Sequence, residues 1–134
     1  MASYSGRFLS RSNTSSNAYV KELGEAARSL IVTQVFPSPN SVATATANDF
    51  QKRAAEYKLP LTYSAMEGYI NARVKIEAIK RAGNKPPREG IVTALESMRK
   101  VDLGGYMLSV SATNHTGSEI VELAIIGKDG RFMH

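Results

Sequence analysis

The segment Leu30-Ile-Val-Thr-Gln-Val-Phe36, closed by Pro37-Ser-Pro39, constrains the fold of this chain more than any other stretch. Five of its seven residues before the first proline are apolar, and no turn former interrupts them. Such a run suits a strand buried on both faces, as in parallel sheets covered by helices. The prolines then take the chain out of the sheet, because proline donates no ladder hydrogen bond and restricts the residue before it.

The rest of the chain must supply that cover. With 134 residues it has the length of one domain, enough for a single core. Hydrophobic residues make up 43% and charged residues 22%, the balance of an ordinary globular protein. No apolar stretch approaches the roughly 18 residues of a membrane span. The start, Met1-Ala-Ser-Tyr-Ser-Gly-Arg7, lacks the apolar core of a secretion signal, so read as a true start it predicts a cytoplasmic chain. The absence of cysteine removes disulfides, thiolate metal sites and cysteine nucleophiles together.

Periodicity predicts alternating elements. Arg7–Ser10 reads as the end of a short strand, and Ser15 or Ser16 caps a first helix with Tyr19, Leu23 and Ala26 inward. A second helix after Pro39 carries Ala43, Ala47, Phe50, Ala54 and Tyr57 on one stripe. Its wet side pairs Asp49 with Arg53 and Lys52 with Glu56. Ser64 and Glu67 read as the capping box of a third helix that buries Tyr69, Ala72, Ile76 and Ile79 and stops at Gly83-Asn84. Pro86 and Pro87 open a fourth, with Ile91, Leu95 and Met98 inward, which Asp102-Leu-Gly-Gly105 ends. Tyr106–Val110 and Ile120–Gly127 read as strands joined across a loop at Thr113–Gly117, and Lys128–Arg131 reads as a turn.

Charge and motifs point to no chemistry. The net charge of +5 is densest at Lys75, Lys80, Arg81, Lys85 and Arg88, where Glu77 and Glu89 interrupt it and no aromatic residue offers a base-stacking platform. This is the pattern of a solvated helix face; nucleic-acid binding would rest on charge alone. His115 and His134 stand in no metal-ligand spacing, and no nucleophile elbow, P-loop or dinucleotide fingerprint occurs. The residues thus predict no catalysis, no cofactor and no metal. Asn13-Thr14-Ser15 and Asn114-His115-Thr116 are formal glycosylation acceptors that read as turns.

Polar groups gather beside structured elements in two places. Ser10, Ser12, Asn13 and Thr14 belong to a hydroxyl- and amide-rich turn between strand end and helix start. That turn either caps the helix or holds a carboxylate or other polar ligand at its N-terminus. Tyr63, at the start of the third helix, is either a ligand-facing aromatic wall or the staple that precedes a cap.

Several stretches in order carry a family resemblance. Leu23-Gly-Glu-Ala-Ala27, Ile31-Val-Thr-Gln-Val35 and Pro37-Ser-Pro39 resemble the crossing-strand region of periplasmic solute-binding proteins of the branched-chain amino acid (Leu/Ile/Val-binding) class. Tyr63-Ser-Ala-Met-Glu-Gly-Tyr69 with Ala72-Arg73 and Arg81-Ala82-Gly83 is similar to that family's next helix. Ala94–Met98 with Asp102–Gly105, then Gly117-Ser118, Val121-Glu-Leu123 and Ile126–Phe132, continue it.

The resemblance implies an α/β chain forming part of a type I periplasmic binding fold, roughly its last third. In that fold two lobes of sheet flanked by helices close on a small solute and present it to a membrane ABC permease, without catalysis. It assigns residues 1–30 and 106–134 to one lobe, and the crossing strand and helices of 31–105 to the other. The cleft positions that map onto this chain are the Ser10–Thr14 turn, with Ser12 where some members place an acid for the ligand ammonium, and Tyr63. The implied ligand is an amino acid or a related small carboxylate or aromatic acid, and the implied location is the periplasm. The competing reading is a stand-alone interaction module that kept the elements and lost the ligand. A strand such as Leu30–Phe36 needs neighbours on both sides, and uncovered faces favour self-association, so a homo-oligomer is expected.

Overall fold

The structure, a computed structural model, describes residues 6–12 and 16–133. The described residues divide into two compact units, the first within 6–36 and 120–133 and the second within 37–119. Residues 31–36 therefore belong to the first unit and residues 106–119 to the second.

The first unit is built on a four-stranded sheet. In chain order its elements are β1 (Leu9–Ser10), α1 (Asn17–Leu23), a 3₁₀ turn (Gly24–Ala27), β2 (Ile31–Gln34), β6 (Glu122–Ile126) and β7 (Phe132–Met133). The sheet order is β1-β2-β6-β7. β1 and β2 are parallel, joined by the α1 crossover, whereas β2–β6 and β6–β7 are antiparallel. The sheet is thus mixed, and β2 has a neighbour on each side. Ser16 caps α1 by accepting the Tyr19 N–H at 3.2 Å. Gly24 ends the helix in a positive-φ conformation that favours glycine. Gly130, also at positive φ, turns β6 into β7, with the Gly127 N–H donating to the Arg131 carbonyl at 2.8 Å.

Burial corrects the expectation of a strand covered on both faces. Val32 and Gln34 are buried, while Ile31 and Thr33 are half-buried. The core side holds Val20, Ala27, Val32 and Ile126, with Leu23, Leu30 and Phe132 packed against them. The reason is topological. The single β1–β2 crossover places its helix on one face, so Val32 meets helix and Ile31 does not. The expected α1 stripe is met in part: Leu23 packs against the core, whereas Val20 and Ala27 are buried in place of the exposed Tyr19 and Ala26. The early stop at Gly24 shifts the phase of Gly24–Ala27 relative to a continuous helix.

The second unit holds α2 (Ala45–Glu56), α3 (Tyr63–Ala82), α4 (Arg88–Glu96) and the strands β3 (Val101–Asp102), β4 (Met107–Ser111) and β5 (Asn114–Gly117). The strands form an antiparallel sheet in the order β3-β4-β5. Residues 113–117 are therefore largely a strand rather than a loop. Phe50, Met66, Ile70, Ala78, Met98 and Leu108 are among the buried residues.

Thr62, not Ser64, caps α3, accepting the Ala65 N–H at 3.2 Å. The helix buries Tyr63, Met66, Ile70 and Ala78, and it leaves Ile76 and Ile79 about half exposed. Of the expected Tyr69-Ala72-Ile76-Ile79 stripe, Tyr69 is half-buried against Phe50, whereas Ala72, Ile76 and Ile79 are exposed, because among the described residues the helix is packed mainly on its other side. Gly83 closes α3 at positive φ, as the sequence predicts.

Asp102–Gly105 does not end a helix. α4 stops at Ser97, and the segment turns β3 into β4. Asp102 Oδ1 accepts the Gly104 N–H at 2.9 Å and the Gly105 N–H at 2.6 Å. Both glycines have φ near +90°, and a Cβ on Gly105 would come within 3.0 Å of Thr44.

Neighbouring residues of β6 test the one-sided burial. Ile126→Ala is expected to cost about 2–5 kcal/mol of unfolding free energy in urea, and Ile125→Ala in dilute solution less than about 1 kcal/mol. Equal losses would contradict the register.

Candidate functional site

Each unit holds one group of polar side chains beside structured elements. In the first, β1 leads into the Ser10–Ser16 segment and from there into α1. Because β1 runs parallel to β2, Ser10 lies at the carboxyl end of a parallel pair, the edge at which α/β sheets take ligands. Ser10 is half-buried and stands opposite Val32 in the ladder; Ser12 is half-buried two residues on. Asn13 and Thr14 lie outside the described residues. The Ser16 hydroxyl is engaged by the Tyr19 amide, so capping accounts for that end of the segment.

Gln34 closes β2 at this same carboxyl end, on the face of Val32. It keeps 2% of its surface, and its Nε2 has no hydrogen-bond partner among the described residues. A buried amide donor left unpaired costs about 1–3 kcal/mol. Its signal in the sequence is a single long polar side chain within an apolar run.

In the second unit, Tyr63 is the first residue of α3 and keeps 8% of its surface. Ser10 and Ser12 fall in the first unit and Tyr63 in the second. Close to the N-terminal end of α2 lies a polar network that sequence reasoning missed. Thr46, fully buried, donates its hydroxyl hydrogen to the Leu103 carbonyl and accepts a hydrogen bond from Arg73 Nη1 at 3.0 Å. The Thr46 N–H donates to the Gly104 carbonyl at 2.9 Å.

Arg73 also lies over the Tyr69 ring, 5.8 Å from its centroid, and the Tyr69 hydroxyl donates to Asp49 at 2.8 Å. Burial, and then the hydrogen bond to Asp49, raise the Tyr69 pKa above its ordinary value. The spacing Thr46, Asp49, Arg53 on one helix and Tyr69, Arg73 on another is the only trace of this network in the sequence.

These residues flank a groove of about 480 Å³ lined by Asp49, Arg53, Tyr69, Arg73, Ile76 and Lys80, among others. Its acids and bases are mixed, and Asp49, Tyr69 and Arg73 are already engaged with one another or with Thr46, which marks a structural clamp. The basic residues Lys75, Lys80, Arg81, Lys85 and Arg88 are exposed, and Arg81 is held by Glu77 at 2.8 Å. His115 lies on β5, where its Nε2 is 3.1 Å from Glu96 Oε1. No cluster of three or more His, Cys, Asp or Glu side chains placed to hold a metal occurs among the described residues. No helix among them is long and apolar enough to cross a membrane.

A family model described as periplasmic binding protein matches residues 5–131. The match spans nearly the whole chain, and the chain belongs to the periplasmic binding protein family. A substrate-binding periplasmic protein from Ralstonia solanacearum is 28% identical with a TM-score of 0.83, covering 96% of this chain and 38% of its own. A possible leucine/isoleucine/valine-binding protein from Rhodopirellula baltica is 27% identical with a TM-score of 0.87, covering 98% of this chain and 36% of its own. An extracellular ligand-binding receptor from Verminephrobacter eiseniae is 31% identical with a TM-score of 0.75, over 89% of this chain and 35% of its own.

No curated protein matches the chain. The chain spans 35–38% of the length of these three structures, so its architecture is part of a type I periplasmic binding fold, as the resemblance implied.

Two substitutions separate clamp from orphan. Thr46→Val, which removes both side-chain bonds without changing shape, is expected to lower stability by about 1–3 kcal/mol, whereas Gln34→Leu is expected to leave it unchanged or raise it, both read from urea unfolding. The Tyr69 shift gives a pH signature. The unfolded phenol ionises near pH 10 and the folded one higher, so this contribution is complete below pH 10 and is lost as pH rises through the folded value. Tyr69→Phe should flatten the fall in stability above pH 10; an unaltered slope would contradict the assignment.

Proposed function

We propose that this chain forms the C-terminal share of a solute receptor for ABC-type uptake, taking an amino acid or a related small carboxylate or aromatic acid without catalysing a reaction. The observation that carries this reading is the match over residues 5–131, together with a TM-score of 0.87 to a possible leucine/isoleucine/valine-binding protein. The first unit supplies part of one lobe and the second unit part of the other. The whole receptor works in the periplasm and delivers its solute to a membrane permease.

Ser10, Ser12, Asn13 and Thr14, at and after the carboxyl end of β1, are the proposed polar contacts to the ligand, and Tyr63 is the proposed aromatic contact. Gln34 supports the first set. A buried, unpaired amide at the end of a strand is a cost that folding alone does not require, and such costs concentrate at functional positions. Ser12 offers no charge to a ligand ammonium, which favours solutes held through a carboxylate or through neutral groups.

A ligand that binds only the folded chain raises its melting temperature, by the equivalent of about 2.7 kcal/mol at a hundredfold excess over Kd. Leucine, valine or benzoate in a thermal-shift series should give a saturable rise that Ser12→Ala reduces. No rise with any amino acid or aromatic acid would favour the second reading, a chain that kept the elements of the fold and lost its ligand.

A further inference from the structure

The small sheet of the second unit borders a polar groove that none of the proposed solute contacts lines. Along β4 the side chains alternate: Met107 and Ser109 are exposed, and Leu108 between them is buried. Ser109, with Asn114 and Thr116 of β5, lines a groove of about 500 Å³ that Arg99, Lys100 and Glu119 also line. Hydroxyls and charges are costly to cover without hydrogen-bond partners, so the openness of this groove follows from its own composition.

The basic pair is held against β4 by backbone geometry. The Val110 N–H donates to the Met98 carbonyl at 2.7 Å, which fastens the turn after α4 to the strand immediately before Arg99. At that point the β4–β5 ladder shifts register, between Ser109 and Ser111, the kind of irregularity that re-aims neighbouring side chains. Lys100 holds φ at +51°, a left-handed conformation that disfavours any residue with a Cβ.

Unlike the groups of the Tyr69 groove, these are not spent on one another. Among the described residues neither Arg99 nor Lys100 belongs to an ion pair. The Ser109 and Thr116 hydroxyls have no hydrogen-bond partner there either. Asn114 Oδ1 accepts the Thr116 N–H at 2.9 Å, which leaves the Asn114 Nδ2 free to donate into the groove.

Two cations beside neutral donors form a site for a dianionic oxyanion. The Arg99 guanidinium offers a planar fork to two oxygens, Lys100 adds a point charge, and the hydroxyls supply further bonds. Glu119 opposes the anion only in part, since the cations outnumber it. The volume is that of pockets that take whole small molecules rather than single ions, and the Asn114 amide suits the hydroxyls of a carrier. We propose that this groove binds a phosphate monoester on a hydroxylated carrier, a sugar phosphate being the simplest, with Arg99 and Lys100 on the phosphate. Neither the solute contacts nor the permease enters this inference, so it stands whether or not the chain binds an amino acid.

Titration calorimetry of the full chain with glucose 6-phosphate at low ionic strength tests it, with glucose and inorganic phosphate as comparison probes. The ester is expected to bind saturably and more tightly than either, with an affinity that falls as sodium chloride rises. Arg99→Gln and Lys100→Gly should each weaken it by ~tenfold or more. Lys100→Gly also separates binding from folding. Glycine is at ease at this φ, so the variant should resist urea as well as the wild type while losing the ligand.

Glu119→Gln, which removes the carboxylate of the lining, should tighten binding, and Lys75→Gln, an exposed charge on α3, should leave it unchanged. No binding of glucose 6-phosphate would overturn the proposal, as would inorganic phosphate bound as tightly as the ester. Arg99→Gln or Lys100→Gly binding as tightly as Lys75→Gln, or weaker binding by Glu119→Gln, would overturn it too.

Discussion

The pairing of β2 with both of its neighbours is the interaction on which the first unit depends. Residues 6–36 and 120–133 are far apart in sequence, and the four-pair register from Ile31–Ile125 to Gln34–Glu122 ties them into one body. Ser29 and Leu30 extend the tie through two further backbone bonds with Ile126, each 2.9 Å. The same register decides which side chains are inside. A one-residue slip would move Val32 and Ala124 to solvent and bring Ile31 and Ile125 onto the helix. The helix side offers Val20 and Ala27 as packing partners, which fixes the choice.

The second unit is held by a different kind of contact. Its helices meet through apolar packing, but the turn between β3 and β4 is fastened by polar groups. Asp102 accepts both glycine amides, and Thr46 binds the loop's carbonyl and Arg73 together. Gly104 and Gly105 allow this close approach, since a side chain at either would meet Thr44 or Thr46. Packing and polar closure support each other here, which is why a single buried hydroxyl matters to three segments of chain.

Much of this is legible in the sequence, for reasons that can be named. The apolar run at Leu30–Phe36 contains the central strand, the glycines at 83 and 130 mark turns, and the ordered motifs point to a solute-binding family. The features that escape sequence reasoning depend on partners distant in the chain. The β5 strand, Asn-His-Thr-Gly, has the composition of a loop and becomes a strand only because β4 pairs with it. Hydrophobicity alone assigns the Tyr69–Ile79 stripe of α3 inward, yet Met66, Ile70 and Ala78 hold the interior because the neighbouring elements lie on their side. The Ser10–Ser16 segment and Tyr63 are visible as polar and aromatic positions, whereas the Thr46 network is not, since its members are contributed by α2, α3 and the β3–β4 turn.

Both units share one consequence of this architecture: each covers its apolar elements on one side and leaves apolar side chains exposed on another. In the solved relatives, of which this chain spans 38% and 36%, the same elements are a minority of the whole. Within this share of the fold, β2 is the strand that organises the first unit, paired on both of its sides. Native-state hydrogen exchange at the amides of Val32, Thr33 and Gln34 tests that claim most directly. If β2 organises the first unit, these amides exchange only through global opening and rank among its slowest, well behind those of β1 and β7. Exchange as fast as that of the short edge strands would contradict the account.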